Sequence, residues 1–588
     1  MNKRNYNVFF NTHTISGIVI SVALYIIFFA GAFAMFKDEI SIWEEGKFIS
    51  NTAKKDIDYD YIFRKLEERH ELTGRDIQFK IRGESDKISI FLGASKDSLA
   101  SEKGKKSHFF YVDTNSVFTT TYQEQYGLGE FLYRLHFFAQ LPRIGFYLAG
   151  FVAFFFLFAM VTGVIVHWKK IIPNFYTFNP KVILKRVWTD AHTALGVIGL
   201  PFQFIFAVTG TYFALSVLVL IPANTLYNND QEKLTEDIRP ARKNYDWIEA
   251  TNSKLYSFNE FAKKTSNNWN NFHLTRGFIK NYGGTNMKYV LIGELISKDK
   301  FIGLGRMVYD SKTNTIIEEK NPHELSYIED AQHLVNRLHF GDFVGTPIKI
   351  IYFILAFITC FVIITGVLIW IEARNKKSMC IKQRLYTAKV GHIYLAICLP
   401  MLPITALAFL FVKFSNGYFY DKQTTIYWFY FISWLAAILF FRFKRDNYFT
   451  NKYSLLSGAI LGFLIPIANG IVSNNWIWNT YKQHQFNILL VDVLWGVIAT
   501  FSLLFYFKIA PKNNMQSTFN KNPIDYKNII KLIGEESKDK PKISLSEPKK
   551  RHNNNKGLFM KTKIISLWIL IPFWLCISPY LWVSQYLF

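Results

Sequence analysis

Cysteine is scarce: Cys360, Cys380, Cys398 and Cys576 are the only four in 588 residues. None stands in a C-x-x-C or C-x-x-C-H pattern, so neither a disulfide framework nor a covalently attached haem is indicated. Acidic residues are in deficit, 44 against 68 Lys and Arg, and the formal net charge is +24. No G-x-G-x-x-G follows a strand and no P-loop occurs. Gly127-Leu-Gly129 and Gly303-Leu-Gly305 are only weak glycine pairs, so no nucleotide-binding module is encoded. What the chain has in quantity is apolar sequence in blocks. Hydrophobic residues make up 50% and aromatics 18%, yet mean hydropathy is only +0.10. Runs such as 15–36 and 144–168 are balanced by polar stretches such as 37–125 and 509–562. Runs of about 20 apolar residues cross a bilayer core of about 30 Å. A soluble enzyme, a disulfide scaffold and a disordered chain are excluded.

Nine spans are expected, at about 14–36, 144–168, 190–221, 348–371, 387–412, 426–442, 455–473, 487–508 and 564–585. Their basic flanks all fall on one side. Lys3 and Arg4 precede the first span, and Lys169, Lys170, Lys181, Lys185 and Arg186 lie between the second and third. Arg374, Lys376, Lys377, Lys382, Arg384 and Lys389 lie between the fourth and fifth, and Arg442, Lys444 and Arg445 follow the sixth. The positive-inside rule makes that side the cytoplasm, with the N-terminus inside and Phe588 outside. The charge excess then reports topology, and no nucleic-acid role is expected. Ala30-Gly-Ala32 and Ala32-Phe-Ala34 resemble signal-peptide cleavage triplets, but the apolar run is long for a signal peptide, and a retained anchor is expected.

The expected division is span 1 in 1–36, an external domain in 37–143, spans 2 and 3 in 144–221, and a second external domain in 222–347. Span 4 follows in 348–371, spans 5 to 8 in 372–508, a basic segment in 509–562 and a last span in 563–588. In the first loop, 59–72 reads as an amphipathic helix, and Ile77–Ile81, Ile88–Leu92 and Phe109–Val112 as strands. In the second, 257–264 reads as a helix and Lys288–Glu294, Gly305–Tyr309 and Thr315–Ile317 as strands. Each loop is expected to be a small α+β domain. The Lys-, Asn- and Ser-rich 509–562 is expected to be disordered or to lie on anionic lipid headgroups.

An internal repeat carries the most information. Tyr133-Arg-Leu-His136-Phe137 returns as Asn336-Arg337-Leu-His339-Phe340, and Val161-Thr162-Gly163-Val164 returns as Ile364-Thr365-Gly366-Val367. His136 to Thr162 and His339 to Thr365 are both 26 residues. His13 with Gly17 matches His192 with Gly196, and Gly31 and Gly210 each stand 18 residues beyond their histidine. The unit of span, external loop, R-L-H-F and span occurs twice. His13, His192 and His392 open spans on the cytoplasmic side, where His167 closes one; His136 and His339 precede spans on the outer side. Pairing the repeat equivalents gives one couple near each face, the arrangement that holds a metal porphyrin between helices. His13, His192, His136 and His339 are therefore expected haem-iron ligands, with His167 and His392 as spares. The bland reading is that interfacial histidines snorkel. Arg134 and Arg337 either meet haem propionates or anchor at headgroups. His333 reads as surface. No catalytic side chain is assigned.

On the H-x-x-x-G helix starts at His13 and His192, the R-L-H elements at 134–136 and 337–339, and T-G-V near the ends of spans 2 and 4, residues 8–374 resemble the PepSY-associated transmembrane family. The resemblance implies a polytopic α-helical protein of the bacterial inner membrane. Together with the apolar runs, which give about nine spans with spans 5–9 outside the resemblance, the expected fold has two small α+β PepSY-like periplasmic domains and an internally duplicated four-helix haem-binding core. The resemblance further implies two non-covalent b-type haems and reduction of a ferric siderophore or other ferric chelate at the periplasmic face. The donor would be a quinol or a separate cytoplasmic reductase. Family members tend to carry tryptophans after T-G at the ends of spans 2 and 4. Trp370 fits, whereas His167 stands in the equivalent place before Trp168. Two other readings remain: a non-redox protein whose external domains bind a peptide or envelope partner, and a permease using spans 5–9. Asp492 is the main acidic residue in those spans.

Overall fold

The computed structural model describes residues 1–46, 57–81, 87–175, 184–251, 256–295, 301–376, 378–415, 417–419 and 421–509. The span expected at 564–585 and all but the first residue of 509–562 lie outside the described residues. Among the described residues, eight helical stretches are long and apolar enough to cross a membrane. The protein is a polytopic helical membrane protein.

The chain opens with α1 (Lys3–Ala34) and the short α2 (Lys37–Glu45). The first loop holds α3 (Tyr59–Glu67), β1 (Ile77–Ile81), β2 (Lys87–Leu92), β3 (His108–Asp113) and β4 (Thr119–Thr121). It ends in α4 (Leu128–His136), which feeds the spanning α5 (Ile144–His167). α6 (Ile171–Phe175) precedes the long α7 (Leu184–Leu226). The second loop holds α8 (Gln231–Ile238), α9 (Phe258–Asn268), β5 (Phe272–Lys280), β6 (Lys288–Leu295), β7 (Leu304–Asp310) and β8 (Ile316–Lys320). It ends in α10 (Tyr327–Phe340), which feeds α11 (Thr346–Arg374). The fifth spanning stretch is two helices, α12 (Ile381–Cys398) and α13 (Met401–Ser415). Pro400 lies at the break, where it has no N–H for a continuous helical ladder. α14 (Lys422–Lys444), α15 (Asn447–Ser473), α16 (Ile477–Lys482) and α17 (Phe486–Lys508) complete the described bundle.

The two external loops were expected to form separate domains. Instead their strands make one antiparallel sheet in the order β4-β3-β2-β1-β5-β6-β7-β8. β1 and β5 meet at the centre, with Ile77 opposite Ile279 and Phe79 opposite Gly277. Each four-stranded half would otherwise end on an exposed edge strand, and pairing removes both edges. One face is covered by α3 and α9, whose buried Ile62, Phe63, Leu66, Phe258 and Phe261 pack on Ile77, Phe79, Ile90 and Leu291. The helices are also stitched across the loops. Asp58, which caps α3 by accepting from Tyr61 N at 3.0 Å, also accepts from Asn259 Nδ2 at 2.7 Å. Asp60 accepts from Phe258 N at 2.8 Å at the start of α9.

Below the sheet, α1 lies against α5 and α11, and α7 lies against the same two helices. Rings such as Phe28 and Phe156, 5.4 Å apart, fill the seams. α13, α15 and α17 form a second group on which α2 rests.

Candidate functional site

The two histidine couples stand at opposite ends of this four-helix group. His13 of α1 and His192 of α7 have ring centroids 6.1 Å apart. His136 of α4 and His339 of α10 have theirs 6.0 Å apart, at the sheet end. His13 and Gly31, which touches His136, are 18 residues apart on α1, or roughly 27 Å at 1.5 Å per residue.

Each ring is fixed through the same nitrogen. Nδ1 meets Ala159 O at 2.6 Å in His13, Ile27 O at 2.8 Å in His136 and Val362 O at 2.9 Å in His192. A carbonyl only accepts, so Nδ1 carries the proton in these three neutral rings. His339 Nδ1 lies 2.8 Å from Thr209 Oγ1. That hydroxyl donates to Ile205 O at 2.6 Å and so accepts from the ring. In the neutral ring each Nε2 then keeps its lone pair, the form in which imidazole binds a metal.

Glycines bring the rings close to neighbouring helices. A methyl group at Gly31 would lie 2.6 Å from His136 Nδ1, and one at Gly163 would lie 3.0 Å from His13. At Gly366 it would lie 3.2 Å from His192. Around Gly17 and Gly196, the matched pair one turn beyond His13 and His192, a methyl group would meet no atom within 4 Å. Among the described residues, the His13–His192 couple thus adjoins open space beside both helices.

The helices carrying the sheet-end couple are anchored from below. Buried Glu44 of α2 accepts from Leu128 N at 2.8 Å, capping the start of α4. Glu130 of α4 pairs with Lys37 and accepts from Tyr122 OH at 2.8 Å. α10 is held by Lys320 and Asp330, 3.1 Å apart. Phe206 and Phe213 each lie 5.0 Å from the His339 ring.

The remaining expected residues fall less centrally. His167, at the end of α5, lies near His13 and His192. His392 is buried on α12 beside Asn447 and apart from both couples. Arg134 donates to Tyr122 OH at 2.6 Å, and Arg337 donates to Phe301 O at 2.7 Å. Both arginines therefore have protein partners rather than facing headgroups freely. His333, expected at the surface, is buried with Nε2 3.5 Å from Glu294.

A family described as PepSY-associated TM region matches residues 10–373. The chain belongs to this family. The PepSY-associated TM region starts just before His13 and ends just after Thr365, so it contains both couples, both arginines and the whole sheet. It stops before α12, leaving α12 to α17 outside it. No curated protein matches the chain.

Two features escaped the sequence reading. Thr209 precedes Gly210 in the same T-G pairing as Thr162-Gly163, which was the available clue. The other is a buried polar cluster in the second helix group. Trp43 Nε1 and Asn469 Nδ2 each donate to Asp492 at 2.8 Å, and Lys413 donates to Trp43 O with its ammonium 4.2 Å above the indole ring.

Proposed function

We propose that the chain is a haem-containing inner-membrane reductase that carries electrons across the bilayer to a ferric chelate at the periplasmic face. The observation supporting this is the geometry of the four histidines. Two imidazoles on one metal, each bound at about 2.0–2.1 Å, put their ring centres roughly 6 Å apart. Both couples have that separation. Two nitrogens alone are too few for a bare cation, which takes four or more ligands. Among the described residues no group of three or more His, Cys, Asp or Glu converges. A porphyrin would bring four nitrogens of its own, and a haem held by such a couple would supply reversible one-electron transfer.

His13 and His192 would hold one haem and His136 and His339 the other, each presenting Nε2. The Nδ1 hydrogen bonds fix ring orientation and raise ligand basicity. The open surroundings of Gly17 and Gly196 suit a flat macrocycle against two helices. Phe206 and Phe213 keep water from the sheet-end couple. The matching registers of the two halves support a duplicated core. A charge crossing hydrocarbon without such relays is costly, and the positive-inside flanks support an outside position for the sheet. With no nucleotide site encoded, the donor is a quinol or a separate cytoplasmic reductase. Reduction of Fe(III) to Fe(II) at the sheet end would release iron from a siderophore.

The test is an absorption spectrum of the detergent-purified protein before and after dithionite. Haem bands that shift on reduction are expected, and His136→Ala or His339→Ala should each remove about half of the bound haem. Absence of bands in protein made with ample haem overturns the reading. Membranes containing the protein should also hasten capture of Fe(II) by a ferrous chelator from a ferric siderophore.

A further inference from the structure

The sheet has a second face, turned towards α4, and it is not uniformly apolar. It holds a groove of about 490 Å³ at the junction of the two loops, lined by β1, β2, β3, β5 and the segment after α8. That volume is in the range of small-molecule sites. Lys80, Lys280 and Arg242 line it against a single acid, Asp76. Asp76 is already neutralised: Lys280 and Lys96 each lie 3.1 Å from it, and Asn281 N donates to it at 3.1 Å. Arg239 and Arg276 stand near Arg242 and add further positive charge. Arg276, which has Glu294 nearby, keeps its buried Nε without a hydrogen-bond partner among the described residues. Between the cations lie three rings, Phe91, Phe109 and Phe278.

Other aromatics of the two loops are engaged elsewhere. Trp269 is in the core under α9, Tyr282 donates to Glu67 at 2.8 Å, and Trp247 packs on Gly284. The groove is instead linked to the sheet-end histidines. Phe109 lies 6.2 Å from Tyr122, whose hydroxyl binds Arg134 and Glu130 two turns or less before His136.

We infer that this groove binds a small anion carrying an aromatic ring, of catecholate or aryl-carboxylate chemistry. The cations would meet the negative oxygens and the phenylalanines the ring. That the ligand is the electron acceptor rests on the reductase reading; that it binds does not. The probe is gallium(III) tris(2,3-dihydroxybenzoate), an anionic complex that cannot be reduced like iron, titrated into the full-length protein. Gallium(III) desferrioxamine B, a cation, is the comparison. The anionic complex should bind, more weakly as salt rises, and the cationic one should not. Arg242→Glu and Phe91→Ala should each weaken binding by about tenfold or more. Lys312→Glu, the same charge change on an exposed turn, should leave it unaltered. Equal binding of both complexes, or equal loss from Lys312→Glu and Arg242→Glu, overturns the inference. So does complete competition by phosphatidylglycerol nanodiscs but not phosphatidylcholine ones, which would make the groove a lipid-headgroup site. Spectra of the same samples separate the two claims: haem bands without gallium-complex binding remove the groove alone, and binding without haem bands removes the reductase alone.

Discussion

At the scale of single residues, the four histidines are positioned by what their Nδ1 atoms meet. Three use backbone carbonyls, which substitution cannot remove. The fourth depends on the Thr209 side chain and is the one whose support can be deleted. Thr209→Val is expected to lower haem retention at the sheet-end site by about 10–100-fold, the usual cost of a lost outer partner, while Thr209→Ser restores it. Competitive haem transfer to an acceptor protein measures this. Gly31→Ala would drive a methyl group into His136. It should displace the ring and lose the same site while leaving the other bound, visible as a halved haem-to-protein ratio. The histidines were legible because they repeat at fixed spacing. Thr209 was less so, because only the three-dimensional path of α7 past α10 tells which hydroxyl faces an imidazole. The buried place of His333 was hidden for a similar reason: its partner Glu294 lies on a strand 39 residues away.

At the scale of elements, the spanning helices could be read from hydropathy alone, with ends shifted by a few residues. The short helices α2 and α4 could not, because their burial comes from distant parts of the chain. α2 is held by Trp43, which joins Asp492, Lys413 and Asn469 across helices separated by more than 350 residues of sequence. Trp43→Phe leaves a smaller aromatic ring in place and removes the N–H donor to Asp492. It is expected to destabilise the protein by about 1–3 kcal/mol through an underpartnered buried acid, read as a lower thermal midpoint in detergent. α4 carries a pH-dependent anchor. Burial alone would raise the Glu130 carboxyl, but Lys37, Tyr122 and Arg134 outweigh it and hold its pKa below the ordinary 4.5. An acid depressed in the folded state contributes stability above its unfolded pKa and loses it as pH falls through the folded one. Wild type should therefore exceed Glu130→Gln in thermal midpoint at neutral pH, with the gap closing as the medium is acidified below pH 4.5. A constant gap would mean the pair is not what secures α4. Strand β5 is hard to read from sequence because Arg276 and Lys280 put charge on one face and Gly277 interrupts the apolar alternation on the other.

At the scale of the whole molecule, the sheet makes the two external loops one body. Phe79 of the first loop lies over Gly277 of the second, and any side chain at 277 would collide with the ring. Gly277→Val should loosen both halves together. Hydrogen exchange should then rise in β2 and β6 alike, whereas two independent domains would confine the change to one. The central β1–β5 pairing also sets an order of events during synthesis. Ile77–Ile81 leaves the ribosome roughly 190 residues before Phe272–Lys280. At about 5–20 residues per second, β1 waits on the order of 10–40 s for its partner. Two further candidate spans, α5 and the apolar part of α7, are made during that interval. Until then the first loop presents an open strand edge to its surroundings. The unpaired β1 edge is thus open to mispairing until β5 has been made.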